Sequence, residues 1–165
     1  MKKIRIRELS RDEFNPYGSF ASMINPKAEK LGAEPIEFFR DMISLNLGSF
    51  TKASFSVCRV LKRPPVVDIT EYHDGCEEGI LPLDSDVLIH VAPATPPGVV
   101  PLDRIEVFRV PKGTFVSLNA GVWHHAPFAL GSEAANVLIV LPERTYAADC
   151  TVEMIPKDRQ VQIEL

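Results

Sequence analysis

Between residues 111 and 128 the chain turns twice within a dozen positions, and that limits what it can build. Pro111-Lys112-Gly113 is a turn signal, Thr114-Phe115-Val116-Ser117-Leu118 has β-character, and Asn119-Ala120-Gly121 turns again before Val122-Trp123-His124-His125. Turn signals on both sides of five strand-like residues read as a tight all-β corner. A histidine just past such a corner can be held over the mouth of a barrel, where small-molecule sites form.

The same punctuation runs through the rest of the chain. Ser54 to Val60 alternates apolar and polar residues, as does Ile105 to Val110, and Val66 to His73 opens with β-branched residues. Gly79 to Leu83 and Asp86 to Ala92 predict two strands parted at Asp84-Ser85, and Asn136 to Leu141 is an apolar run. Strands this short, about 8–12 residues apart, predict an antiparallel sandwich or barrel. Fourteen prolines favour the same outcome over long helices. Before residue 44 the pattern is weaker. Ile4 to Arg7 alternates as a half-buried strand would, and Ser10 with Glu13 three residues on reads as a capping box. Gly32 and Pro35 interrupt the helical composition of 27–31, so residues 28–39 read as a loop with a helical turn near Ile36 to Asp41. The expectation is one domain over 1–165, with a helical or irregular section, 1–43, packed on a barrel of 44–165.

The 165 residues suffice for a hydrophobic core without staples, and 45% hydrophobic with 24% charged residues is ordinary for a globular chain. A net charge of -4 with scattered basic residues argues against a nucleic-acid partner. No run approaches the roughly 20 apolar residues of a membrane span. Three cysteines, Cys58, Cys76 and Cys150, make an odd number without a CxxC pair, which fits a reducing cytoplasm.

Chemistry gathers at two places. Glu71 and His73 are two apart and share a strand face; Glu78 follows the Asp74-Gly75 turn and can swing back to them. Buried together, these groups need a counter-charge, a hydrogen bond or a metal. With His124 they make a set suited to Zn²⁺, Ni²⁺, Mn²⁺ or Fe²⁺. Their alternative is a solvated rim with a surface histidine, which is the reading preferred for Glu77. His124 and His125 face opposite ways on an extended strand, so one enters a pocket, and His124 is the choice. His90 reads as a hydrogen-bonded core residue and Trp123 as core packing. Cys58 and Cys76 sit in no thiolate-stabilising motif and read as inert. Arg59 shares its face with Phe55 and Val57; turned inward it would clamp a substrate carboxylate or enter a buried salt bridge.

At these residues the chain resembles the cupin superfamily of small antiparallel β-barrels. Its second motif is glycine, five residues, proline, one residue, glycine, two residues and histidine, which Gly113, Asn119 (in the proline's place), Gly121 and His124 match. Glu71-Tyr72-His73 stands where the first motif has His-x-His, and Glu78 where it has glutamate. Within cupins the closer similarity is to the ureidoglycolate lyase family. It rests on Leu9 to Gly18, Phe55 to Arg59, Glu71 to His73 with Ile80 to Leu83, Val122 to Phe128, and Ala148 to Glu153 with Ile155-Pro156. The family usually has glutamine where Glu78 stands. The resemblance implies a cytoplasmic, homodimeric carbon–nitrogen lyase that releases urea and glyoxylate from (S)-ureidoglycolate in allantoin and purine catabolism. A divalent metal is implied, held by Glu71, His73, Glu78 and His124, and no organic cofactor. His73, His124 and Glu78 would move protons, while Arg59 and His125 would bind the carboxylate substrate. The alternative is a metal-binding cupin with a different small-metabolite substrate, or one that binds its ligand without catalysis.

Overall fold

A computed structural model describes residues 2–165. In chain order come β1 (Lys2–Glu8), α1 (Arg11–Phe14), β2 (Gly18–Ser22), β3 (Lys30–Ala33), β4 (Ile36–Phe39), β5 (Ala53–Leu61), β6 (Val66–Val67) and β7 (Ile69–Tyr72). Then follow β8 (Glu78–Pro82), β9 (Val87–Val91), β10 (Glu106–Val110), β11 (Thr114–Leu118), β12 (Phe128–Ala129), β13 (Ala134–Pro142), α2 (Thr145–Ala148), β14 (Thr151–Met154) and β15 (Val161–Glu164).

Two sheets make the cupin-like barrel, ordered β12-β9-β10-β1-β15-β6 and β2-β11-β8-β13-β5. Neighbours within them are antiparallel except at β1, which runs parallel to both β10 and β15. Residues expected to lie against the barrel thus enter it: β1 is an inner strand of the first sheet and β2 an edge of the second. Alternation then divides the side chains. Ile80, Val137 and Ile139 of the five-stranded sheet meet Ile89, Phe108 and Val110 of the other in one core. Leu88, Val107 and Ile163, on the opposite face of the six-stranded sheet, pack with Tyr72 and Trp123 in a second core. A period of two lets one strand serve both.

Three local expectations change. Residues 30–39 form a hairpin of β3 and β4 in place of a loop and helical turn, because Gly32 pairs within the ladder and Pro35 lies in the bend. The segment from Val66 to His73 splits at Asp68 into β6 and β7, which pair with different partners, β15 and β14. Val122 to His125 is not a strand but makes isolated bridges, Trp123 to Ala92 and His124 to Glu71.

The capping box is present: the Glu13 N–H donates to Ser10 Oγ, and Phe14 closes the single turn of α1 in full burial. Phe14 meets the Phe108 ring edge-on at 5.1 Å. A four-residue helix has little stability of its own, so packing holds it. We expect Ser10→Ala to cost about 1 kcal/mol and Phe14→Ala about 3–5 kcal/mol in urea unfolding; equal costs would contradict this account.

Candidate active site

The site is assembled by stitching one loop to one strand. Glu71 donates its N–H to the His124 carbonyl at 2.6 Å, and His124 returns the bond at 2.8 Å. Gly121 donates to the His73 carbonyl at 2.6 Å. Its φ of 79° and an added Cβ's 3.0 Å approach to Ala94 explain why glycine stands at that turn. Tyr72, between the two site residues, points the other way onto Trp123, with ring centroids 4.5 Å apart.

Glu78, at the start of β8, is 8% exposed and lies between two imidazoles. Its Oε2 is 3.1 Å from His73 Nε2 and 3.0 Å from His124 Nε2. The other ring nitrogens identify the tautomers. His73 Nδ1 meets the Asp149 carbonyl at 2.5 Å and His124 Nδ1 the Val122 carbonyl at 2.8 Å. A carbonyl only accepts, so both Nδ1 atoms carry hydrogen. In neutral rings both Nε2 lone pairs would then face a carboxylate oxygen, which is repulsive. The arrangement calls for positive charge at its centre, as added protons or as a metal ion. Glu71, His73 and His124 each offer a ligand atom, all within 4.8 Å of one another. Two imidazole nitrogens with carboxylate oxygens suit a borderline divalent ion, so these residues fit the metal that the cupin motifs imply.

Without a metal, protonation supplies the charge. Burial alone would raise the Glu78 pKa, but the His124 charge and hydrogen bonds from both imidazoles hold it down, at about 2. Burial works against a charged His124 too, yet the Glu78 charge and hydrogen bond push its pKa up.

The surrounding residues divide by role. Asp149, which the sequence reading did not single out, accepts from the N–H groups of Asp74 and Gly75 at 2.9 Å each, so the carbonyl that orients His73 is itself pinned. Cys150 donates to Glu71 Oε2 at 3.5 Å; burial and the Glu71 charge push the thiol up to about 12, so it stays protonated. Burial also raises Cys58 and raises Cys76 to about 11, in line with inert thiols. Glu77 is structural: it accepts from the Asn46 N–H and the Ser117 hydroxyl. His90 is a buried core residue that donates from Nε2 to Thr70 Oγ1 at 3.1 Å, while Thr70 donates to the His124 carbonyl. Burial holds His90 well below the usual imidazole range.

His125 makes no hydrogen bond to Glu78; it is half-buried, and its Nδ1 has no partner among the described residues. Arg59 requires a correction. It shares a face with Phe55 and Val57 as expected, but that face is the outside of the barrel: Phe55 is 69% and Val57 60% exposed, and Arg59 is exposed with them. Inward positions of β5 fall on the other parity, at Cys58 and Val60. The arginine that does lie near the site is Arg63, four residues on. It is half-buried, donates to the Ala126 carbonyl at 2.8 Å and sits 3.9 Å over the Phe128 ring. Burial lowers the pKa values of His90 and His125, and the Arg63 charge adds a smaller push in the same direction. An arginine just beyond a strand, before Pro64-Pro65, carried no motif that could have revealed it.

A family model for ureidoglycolate lyase matches residues 1–164. The chain belongs to the ureidoglycolate lyase family. No curated protein matches it. Among solved structures it is similar to a dTDP sugar isomerase from Desulfovibrio desulfuricans G20, at 17% identity over 87% of each chain with a TM-score of 0.49. It is also similar to a 4-keto-6-deoxy sugar epimerase from Streptomyces spheroides, at 23% identity over 63% of this chain and 51% of that one, TM-score 0.41. Bacillus subtilis oxalate decarboxylase matches at 13% identity and a TM-score of 0.43, over 62% of this chain and 24% of its own, so this family member spans about a quarter of that chain.

The opposed pKa shifts define a pH window for the metal-free protein. Glu78 contributes stability above its ordinary 4.5 that is lost as pH falls towards about 2. His124 contributes stability below its ordinary 6.5 that is lost as pH rises through its elevated value. Thermal melts of chelator-treated protein should therefore show this contribution fully between 4.5 and 6.5. In Glu78→Gln, NMR of the ring nitrogens should find His124 titrating lower than in the wild type; an unchanged titration would mean that Glu78 is not its partner.

Proposed function

We propose that this family member is a metal-assisted carbon–nitrogen lyase that releases urea and glyoxylate from (S)-ureidoglycolate. The observation that supports it most is the convergence of His73, His124 and Glu78 on one buried point, with Glu71 beside them. Membership of the ureidoglycolate lyase family supports this choice of substrate. The reaction breaks the substrate's O–H and C–N bonds; the oxygen's electron pair becomes the carbonyl of glyoxylate, and the urea nitrogen takes a proton.

Glu71, His73, Glu78 and His124 would hold a divalent ion, whose contribution when bound is to acidify and orient the substrate hydroxyl. With both Nδ1 atoms on carbonyls, His73 and His124 would ligate through Nε2 and have no lone pair for a proton, so the carboxylate of Glu78, at hydrogen-bond distance from both rings, would take the hydroxyl proton and return it to the departing nitrogen. Asp149 and Val122 hold the rings so that the Nε2 atoms face the centre and Glu78. Arg63 with His125 takes the carboxylate-holding role expected of Arg59; the half-buried guanidinium is fixed by its carbonyl bond and the Phe128 ring. Water is kept out on the inner side by the apolar core under Glu78.

A second reading, a different small-metabolite reaction on the same centre, draws on Glu78, where the family usually has glutamine. Assays of glyoxylate and urea release with Ni²⁺, Mn²⁺ or Zn²⁺ separate the two. We expect release that falls at least ~100-fold in His124→Ala and Glu78→Gln, a raised KM in Arg63→Gln, and little change in Arg59→Ala. Stoichiometric metal binding by folded protein with no urea released would favour the second reading.

A further inference from the structure

The alternation of β5 is inverted. Its outer side carries Phe55, Val57 and Leu61, all exposed, whereas the side turned into the barrel carries Ser54, Ser56 and Cys58 before Val60. The register fixes this assignment. Ser56 pairs with Ile139 and Ser54 with Leu141 on β13, and both partners belong to the barrel core. Residues directly opposite in a ladder share a face. On its other side Ile139 pairs with Ile80, two positions after Glu78, so the serines lie on the face from which Glu78 rises, two strands away. Both serines are half-buried, and neither hydroxyl has a hydrogen-bond partner among the described residues. Polar groups turned inward and left unpaired are costly unless water or a ligand reaches them.

The short helix α2 ties the same end of the sheet to the site. It begins just past β13, where Arg144 turns the chain at a φ of 65° and the Thr145 hydroxyl donates to the Pro142 carbonyl. At its other end the Asp149 N–H donates to the Thr145 carbonyl at 2.8 Å. Asp149 then holds His73 through its own carbonyl, and Cys150 donates to Glu71. Tyr146 is carried between these two attachments. Its ring is 64% exposed, and its hydroxyl makes no hydrogen bond among the described residues. Burial raises the pKa of that hydroxyl, with smaller pushes from Glu78, Glu71, Cys58 and Cys150, in line with a phenol turned towards these groups.

We propose that Ser56 and Tyr146 form the wall that selects the ureido group of the substrate, an inference that rests on the lyase reading above. A ureido group offers N–H donors and a carbonyl acceptor, and a hydroxyl can meet either. The wall is also neutral. Ser56 carries no charge, and burial keeps the Tyr146 phenol and the Cys58 and Cys150 thiols protonated. It therefore takes the uncharged end of the substrate and leaves the carboxylate to Arg63. This accounts for polar residues on the inward side of a strand whose outward side is apolar.

The probe is N-carbamoylglycine, the substrate without its hydroxyl, set against N-acetylglycine, which has a methyl group in place of the terminal NH₂. Calorimetric titration of the full chain with Ni²⁺ added should find the carbamoyl ligand bound at least ~5-fold tighter. Ser56→Ala and Tyr146→Phe should each remove most of that preference while leaving N-acetylglycine binding unchanged. Ser56→Thr, which keeps a hydroxyl, should retain it. In urea-release assays the first two variants should raise KM about 5-fold with kcat nearly constant. A wild type without the preference, or a preference that survives both substitutions, would overturn the wall, and urea release by the wild type would still leave the lyase reading standing. A preference that depends on the two hydroxyls in a protein that releases no urea would support the wall and overturn only the lyase reading.

Discussion

A carboxylate oxygen held between two imidazole nitrogens is the constraint around which this fold is arranged. Each partner is buried, and a buried charge without compensation is costly. The compensation comes from three directions: Glu78 from β8, His73 just past β7, and His124 from the loop after β11. Removing one member would leave the others charged and unpaired, a loss of about 3–5 kcal/mol where such pairs have been broken. The backbone bonds that bring Glu71 to His124 and Gly121 to His73 therefore do more than close a loop. They set the distance at which the electrostatics balance.

That balance is sustained by the division of each strand into two faces. Along β7, Glu71 faces the site while Thr70 and Tyr72 belong to the second core. Thr70 receives a hydrogen bond from His90 and passes one to the His124 carbonyl, so the second core orients the loop that carries a site histidine. Tyr72 and Trp123 pack against one another on that side, and their neighbours Glu71, His73 and His124 are presented on the other. One apolar cluster fills the barrel and the other braces it from outside, with the polar site at their junction.

Much of this was legible in the sequence because it depends on parity and turns. The pairing of Glu71 with His73 and the return of Glu78 after Asp74-Gly75 follow from a two-residue period and a turn, whereas the choice of His124 over His125 assumed a strand that the chain replaces with isolated bridges. Parity also put Arg59 with Phe55 and Val57, but alternation says which residues share a face and not which face is inside. Inward turns out to be Cys58 and Val60. Residues 30–39 misled for a different reason: Gly32 and Pro35 read as breakers of a helix, whereas in a hairpin Gly32 pairs within the ladder and Pro35 lies in the bend. Arg63 and Asp149 were invisible because their roles depend on carbonyls and amides brought near by the fold, and no local pattern records those.

The identity of residue 78 shows how one atom can change what such a site demands. A glutamine at this position would present an NH₂ group with two hydrogens, one for each bare Nε2, and the three side chains would be satisfied without net charge. Glutamate has no hydrogen to give. With both Nδ1 hydrogens already committed to the carbonyls of Asp149 and Val122, the rings cannot switch tautomer to supply one. The centre must then recruit positive charge, and the depressed pKa of Glu78 beside the elevated one of His124 is how the bare protein does so. A divalent ion would meet the same need without borrowing protons, and the replacement of an amide by a carboxylate converts a site content as a neutral hydrogen-bonded trio into one that is completed by a cation.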